Sequence, residues 1–244
     1  MNGTISGFLR FIGRAKGSNF FNPWGDVDPQ NDAGAHGPKI RRSHLSRYLE
    51  ARVAKSRYCL VGEALSYQGG HFTGIPMTSE RILLGFQKDR GIHPEQVLPG
   101  INPERTSKPE IMPRGFNEPT ATIVWEAIAG SGLPPAAFVL WNVFPWHPFN
   151  PARGMLSNRT PLPEEIGRGS EILERFLELF PGIILIAVGR VSTRALGGLK
   201  RDHASVRHPA HGGARTFRGQ FLGLIESKRN PQTFDSRKNR MKGG

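Results

Sequence analysis

Three short segments carry side chains able to act on a bound ligand: Gly62-Glu63-Ala64, Trp141-Asn142-Val143-Phe144 and Arg207-His208-Pro209-Ala210. Together they offer a carboxylate, a carboxamide and an imidazole, with glycines that let a backbone come close. Such a set suits general acid/base or electrostatic catalysis on a flat polar ligand. Each residue also has a plainer reading. Glu63 could pair with one of many arginines, Asn142 could satisfy backbone groups at a strand end, and His208 could hydrogen-bond a turn ahead of Pro209. His203, His208 and His211, with His147 apart from them, raise metal binding, but no acidic or cysteine partner accompanies them and no metal is expected. The glycine-rich stretch from Gly62 to Gly74 has neither the Gly-Lys-Ser/Thr ending nor the Gly-x-Gly-x-x-Gly spacing of a phosphate loop.

The elements that must position these segments follow from hydrophobic period. Leu45, Tyr48, Leu49 and Val53 recur at helical spacing between Arg41 and Lys55. Ser79 to Phe86, with Ser79 as N-cap, Thr120 to Ile128, Glu164 to Leu179, Ser192 to Leu199 and Thr216 to Ile225 predict further helices. Continuous apolar runs predict buried strands at Tyr58 to Val61, stopped by Gly62, at Ala136 to Phe144 and at Ile183 to Val188, with another at Ala204 to Val206. Five prolines break Gly91 to Asn117 into a long loop. Strands alternating with helices predict an α/β fold, a three-layer α/β/α sandwich around a short, mostly parallel sheet over residues 41–226. Ligands of such sheets sit beyond the carboxyl ends of the strands, where the three segments fall.

Lys and Arg number 33 against 20 Asp and Glu, a formal charge of +13. That balance favours polyanions, and nucleic acid over membrane, since no apolar run approaches the roughly 20 residues of a bilayer span. One cysteine, Cys59, excludes an intrachain disulfide and fits a reducing cytosol. The start of the chain reads as no secretion signal. Residues 1–40 are expected to form an irregular arm packed on the body, with Trp24 plugging a core edge or contacting DNA. Residues 227–244, rich in Lys and Arg, are expected to be a flexible tail that adds nonspecific affinity or is merely solvated.

The run from Gly62 through Gly69-Gly70-His71-Phe72-Thr73-Gly74-Ile75-Pro76 resembles the first motif of uracil-DNA glycosylases, in the branch with glutamate after the leading glycine. Trp141-Asn142-Val143-Phe144 resembles the strand that presents a base-reading asparagine, and Arg207-His208-Pro209-Ala210 the histidine-proline motif. The resemblance spans roughly Tyr58 to Phe217. It implies a monofunctional DNA-repair glycosylase that flips uracil or a related deaminated base out of DNA and hydrolyses its glycosidic bond. Glu63 would position and polarise water beside the sugar, and neutral His208 would stabilise the leaving base. Asn142 would match the uracil N3 and O4 edge, backbone N–H groups of Gly62 and Ala64 would bind O2, and Arg207 and Arg215 would contact DNA. The stacking position holds Met77 where the family has phenylalanine, with Phe72 upstream as the alternative platform. Leu65 and Ser66 replace the usual proline and glycine, and the cysteines of the iron–sulfur cluster are missing. The resemblance therefore implies no cofactor, DNA as partner, a monomer, and a cytoplasmic, nucleoid-associated location. The departures also allow a second reading, a DNA-binding protein that keeps the fold without the chemistry, and the basic tail allows a third, an RNA-binding module.

Overall fold

A computed structural model of the chain describes residues 4–229. In chain order the elements begin with α1 (Ile5–Gly13), β1 (Phe20–Phe21), α2 (Gly37–Glu50) and β2 (Tyr58–Ala64). Three one-turn helices follow, α3 (Gly70–Thr73), α4 (Glu80–Leu83) and α5 (Pro94–Val97), and then α6 (Pro119–Ala129), β3 (Phe138–Phe144) and β4 (His147–Pro148). The chain continues through α7 (Pro163–Leu177), β5 (Ile184–Val188), α8 (Arg190–Gly198), β6 (His203–Val206) and α9 (Ala214–Arg229).

The central sheet has the order β3-β2-β5-β6 and every pairing is parallel. The chain leaves β2 for β3 on one side and then returns for β5 on the other, so the order reverses between β2 and β5. That reversal opens a crevice at the strands' carboxyl ends. Partners directly opposite in a ladder share a face of the sheet. One face carries Leu60, Gly62, Leu140, Asn142, Ile186 and Val188; the other carries Val61, Glu63, Trp141 and Ala187. Phe138 on the first face meets Phe221 of α9, which packs with α6. Trp141 on the second stacks on Phe176 of α7 at 4.2 Å and lies 5.4 Å from Phe8 of α1. Helices thus cover both faces, giving the expected three-layer α/β/α sandwich around one continuous core.

Several boundaries differ from the sequence reading. The N-terminal arm is not irregular throughout. Thr4 caps α1 through its side chain, and Phe8, Leu9 and Ile12 are buried, while β1 pairs antiparallel with β4. Trp24 is fully buried, and its indole N–H donates to Gly74 O at 3.1 Å. Arg41 of α2, also fully buried, clamps the arm by donating to Pro23 O, Asp26 O and both Asp32 oxygens. Helix α2 starts earlier than Arg41 because Pro38 occupies its first turn. Gly62 does not stop β2, which runs on to Ala64 because β3 continues the ladder to Ala64–Phe144. Ser79 stands at the N-cap of α4 but makes no capping bond. Ser227, Lys228 and Arg229 belong to α9 rather than to a tail. The other basic tail residues, Arg237, Lys238, Arg240 and Lys242, lie outside the described residues.

Candidate active site at the carboxyl ends of the strands

Gly62 and Asn142 are direct partners across the β2–β3 ladder. A side-chain carbon on Gly62 would collide with Asn142 Oδ1 and stand 3.3 Å from Met77 Sδ. Only glycine lets these two side chains close on the strand end. Asn142 is 1% exposed, and both its amide oxygen and nitrogen are buried with no hydrogen-bond partner in the protein. A buried amide left unpaired costs about 1–3 kcal/mol for each group. A structural asparagine would have found backbone groups to satisfy, so this one is suited to a ligand that completes it.

Met77 holds a positive φ of 47°. A non-glycine residue in the left-handed region carries backbone strain, which persists where surrounding structure imposes it and concentrates at ligand sites. Here it places the thioether beside Gly62 and Asn142. Phe72, the alternative platform, is 1% exposed and stacked on Phe116 at 4.2 Å, with His71 at 4.4 Å. Its ring is committed to the core, which leaves Met77 as the apolar surface beside the asparagine.

The β5 ladder on β2 ends at Val61–Ala187, whereas the β3 ladder continues to Ala64. The backbone edge of Gly62-Glu63-Ala64 on the β5 side therefore has no ladder partner and faces the crevice. His208 stands two residues beyond β6, across that crevice. Gly189, at φ 90°, allows its approach: a side-chain carbon there would lie 3.0 Å from His208 Cβ. The Ala210 N–H donates to His208 Nδ1 at 3.1 Å, so in the neutral ring the proton sits on Nε2. Burial, then the neighbouring Arg207 and His211, push the His208 pKa down and keep the ring neutral. Nε2–H is thus a hydrogen-bond donor over the neutral pH range. Arg207 and Arg215 are exposed, one just ahead of His208 and the other in the first turn of α9.

Glu63 leaves β2 on the opposite face from Gly62 and Asn142, as strand alternation requires. Its side chain is half-buried at the end of the strand. Burial raises its pKa. The site therefore has the amide and thioether on one side of the strand end, the carboxylate on the other and the imidazole across the crevice.

Leu65 and Ser66, unusual for the resemblance, have clear local roles. Leu65 packs so tightly under Gly70 that any side chain there would meet Leu65 Cδ2. Ser66 Oγ accepts from Gln68 N at 3.1 Å and from Asn158 Nδ2 at 3.2 Å. His147 has both ring nitrogens engaged, Nε2 donating to Ser157 O at 2.8 Å and Nδ1 facing His71 Nδ1 at 2.9 Å. Burial, then the neighbouring His71, pushes its pKa down to about 3, so it stays neutral and accepts from His71. His71 Nε2 in turn faces Asp28 Oδ2 at 3.1 Å, and one proton is shared across that contact. This chain pins the arm to the first motif and to β4.

Glu118 was not legible in the sequence. It is 9% exposed, Oε2 has no hydrogen-bond partner, and it lies so close to Gly69 that a Cβ there would overlap it. Burial raises its pKa from 4.5 to about 7. A pKa raised on folding stabilises the protein below pH 4.5, and the benefit is lost as pH rises through about 7. That separation corresponds to about 3 kcal/mol. Denaturant unfolding of Glu118→Gln should therefore show a stability that falls less between pH 4 and pH 8 than wild type, by up to about 3 kcal/mol. Parallel stability curves for the two proteins would contradict this account of Glu118.

Comparison with protein families finds a match over residues 51–230 to the uracil DNA glycosylase superfamily. Among solved structures, the crystal structure of wild-type SMUG2 from Pedobacter heparinus superposes with a TM-score of 0.58 at 14% identity, covering 93% of this chain and 98% of that one. Comparison with curated proteins finds no match.

Proposed function

Since the chain belongs to the uracil DNA glycosylase superfamily, we propose that it is a monofunctional DNA glycosylase that hydrolyses the N-glycosidic bond of uracil or a related deaminated base and leaves an abasic site. The single observation that carries this reading is the buried, unpaired carboxamide of Asn142 at the strand end, between Gly62 and Met77. Deamination turns the ring edge of a base into an N–H beside a carbonyl. Uracil presents it at N3 and O4, hypoxanthine at N1 and O6. One amide, accepting through Oδ1 and donating through Nδ2, satisfies that edge and is itself satisfied.

The rest of the reaction follows from charge. Breaking the bond leaves positive charge on the sugar and negative charge on the base. His208 Nε2–H and the open backbone edge of Gly62 to Ala64 supply donors toward the base, worth most in a site shielded from water. Glu63 supplies an anion on the sugar side and holds the attacking water. The net charge of +13 attracts the DNA backbone.

The test is base release from oligonucleotides carrying uracil, hypoxanthine, xanthine or thymine. Wild type should release at least one deaminated base. Asn142→Ala should release the same base on the order of 10–100-fold more slowly, from the loss of one or two buried hydrogen bonds. Binding to these oligonucleotides with no release from any of them would overturn the proposal in favour of a DNA-binding protein without the chemistry.

A further inference from the structure

We propose that the groove between α1 and α7 is a second nucleic-acid contact, a subsite that takes one nucleotide of the DNA strand next to the target, on its sugar side. That occupant rests on the glycosylase reading above. None of the residues belongs to the three motif segments, and Phe11 and Arg14 precede the 51–230 family match altogether.

The groove has a volume of about 480 Å³, within the roughly 300–1,000 Å³ of small-ligand sites. Its floor is Trp146, 1% exposed, whose indole N–H donates to Ile12 O of α1 at 3.2 Å. The Arg168 guanidinium lies over that floor, 4.8 Å from the Trp146 ring centre and 5.6 Å from that of Phe20. On the rim Phe11 is 43% exposed, although its neighbours Phe8, Leu9 and Ile12 on α1 are buried. The Arg175 guanidinium stands 4.5 Å from the Phe11 ring centre, and Arg14 completes the basic lining. Aromatic faces hold a guanidinium in place and leave its N–H fork for an anion.

Arginines elsewhere on the surface are engaged by carboxylates, Arg90 and Arg218 by Glu126 and Arg201 by Glu174. Among the described residues, Arg14, Arg168 and Arg175 make no ion pair, and Glu171, the one carboxylate in the lining, joins none of them. Three positive charges around one carboxylate, beside an open aromatic ring, fit a phosphate and a base together, the two parts of a nucleotide. An acidic side chain would satisfy the arginines and leave Phe11 in water. The groove also adjoins the crevice. Leu65 N, two residues beyond Glu63, donates to Trp146 O at 3.3 Å. Gly169 lets α7 close on the carboxyl end of β3, since a side chain there would meet Val143 O, and Arg168 is its neighbour. Glu63 leaves β2 on the sheet face of Trp141, which α1 and α7 cover. A DNA strand with its target sugar at Glu63 therefore continues toward this groove rather than toward α6 and α9.

The measurement is fluorescence anisotropy of the full chain with a single-stranded thymidine oligonucleotide and with an abasic sugar-phosphate strand of the same length, across a salt series. Phe11→Leu keeps an apolar side chain, and Arg168→Gln keeps the stem over Trp146, so both should fold. Phe11→Leu should weaken binding to the thymidine strand on the order of tenfold, the loss of one stacked base, and leave the abasic strand bound as before. Arg168→Gln and Arg175→Gln should each weaken binding to both strands and make the salt slope shallower by about 0.7, the value for one phosphate contact on a single strand. Arg57→Gln, which removes an exposed charge at the opposite end of the sheet, should keep the wild-type slope. If Phe11→Leu binds the thymidine strand as wild type does, or Arg168→Gln behaves like Arg57→Gln, the groove proposal is overturned, and the glycosylase reading stands wherever wild type releases base. Groove-dependent binding without base release from any oligonucleotide keeps the groove and sinks the glycosylase reading. Wild type that binds neither strand overturns both. A polyglutamate peptide whose binding is lost in the groove variants while DNA binding is unchanged would assign the groove to an acidic protein partner and overturn the nucleotide subsite.

Discussion

Glu63→Gln is expected to slow base release by about 10²–10⁴-fold, the usual contribution of a positioned general base. The amide keeps the size of the side chain and its place at the end of β2 but cannot carry the negative charge that the proposed reaction sets against the sugar. Wild-type release should rise with pH through the raised pKa of Glu63, and the residual activity of the variant should lack that limb. Stability separates chemistry from folding. Burial raises the Glu63 pKa, so ionisation of this group favours the unfolded chain and its stabilising effect is present at low pH and lost as pH rises. The amide has no such cost, and the thermal midpoint of the variant at pH 8 should be no lower than that of wild type. A variant that loses activity only because its midpoint has collapsed would contradict this role.

His208→Ala is expected to cost about 10²–10³-fold, the loss measured when one donor to a developing anion is removed. Its pH dependence distinguishes a neutral donor from a protonated one. The folded environment lowers the His208 pKa, by burial first and then by Arg207 and His211. The ring therefore gives up its charge below its ordinary pKa, while Nε2–H persists because Nδ1 is the acceptor from Ala210. Wild-type release should show no descending limb near pH 6.5, and the His208→Ala deficit should be constant from pH 6.5 to pH 8. A deficit that vanishes as pH rises would mean that the imidazolium does the work. That result would reassign His208 as a charge donor and require its pKa to lie above the ordinary value.

The parts of the fold legible in the sequence are those where local pattern and tertiary role agree. β3 and β5 are buried on both faces of a parallel sheet, so they read as unbroken apolar runs, and α7 carries Ile172, Leu173 and Phe176 at helical spacing. Elements that depend on distant partners were not legible. β1 and β4 are two residues each and exist through their mutual pairing. The last two residues of β2, Glu63 and Ala64, follow a glycine that reads as a stop, and only the β3 ladder shows that the strand continues. α1 combines glycines with apolar residues, and its helical face appears only once Phe8 packs on Trp141.

The candidate site divides the same way. The segments bearing Glu63, Asn142 and His208 can be located because strand ends at a topological reversal gather in one place. The choice between Phe72 and Met77 was open, because Phe116, which occupies the Phe72 ring, comes from the proline-broken loop. Glu118 and Asn158 come from stretches with no local signature and reach the first motif only through packing. The opposite orientations of Glu63 and Asn142 also needed the register: alternation along β2 is legible, but the alignment of Gly62 with Asn142 is not.

The central claim is that this strand-end arrangement cleaves a glycosidic bond, and free base is its direct product. The most direct measurement is chromatographic detection of the base released from single-site oligonucleotides carrying uracil, hypoxanthine, xanthine or thymine at enzyme excess, with wild type and the Glu63→Gln, His208→Ala double variant side by side. A stoichiometric free base and an abasic strand from wild type with at least one of these oligonucleotides, with release from the double variant reduced by at least about 10³-fold, is the predicted result. Equal release from both proteins, or all four oligonucleotides left intact after incubation with well-folded wild type, would contradict it.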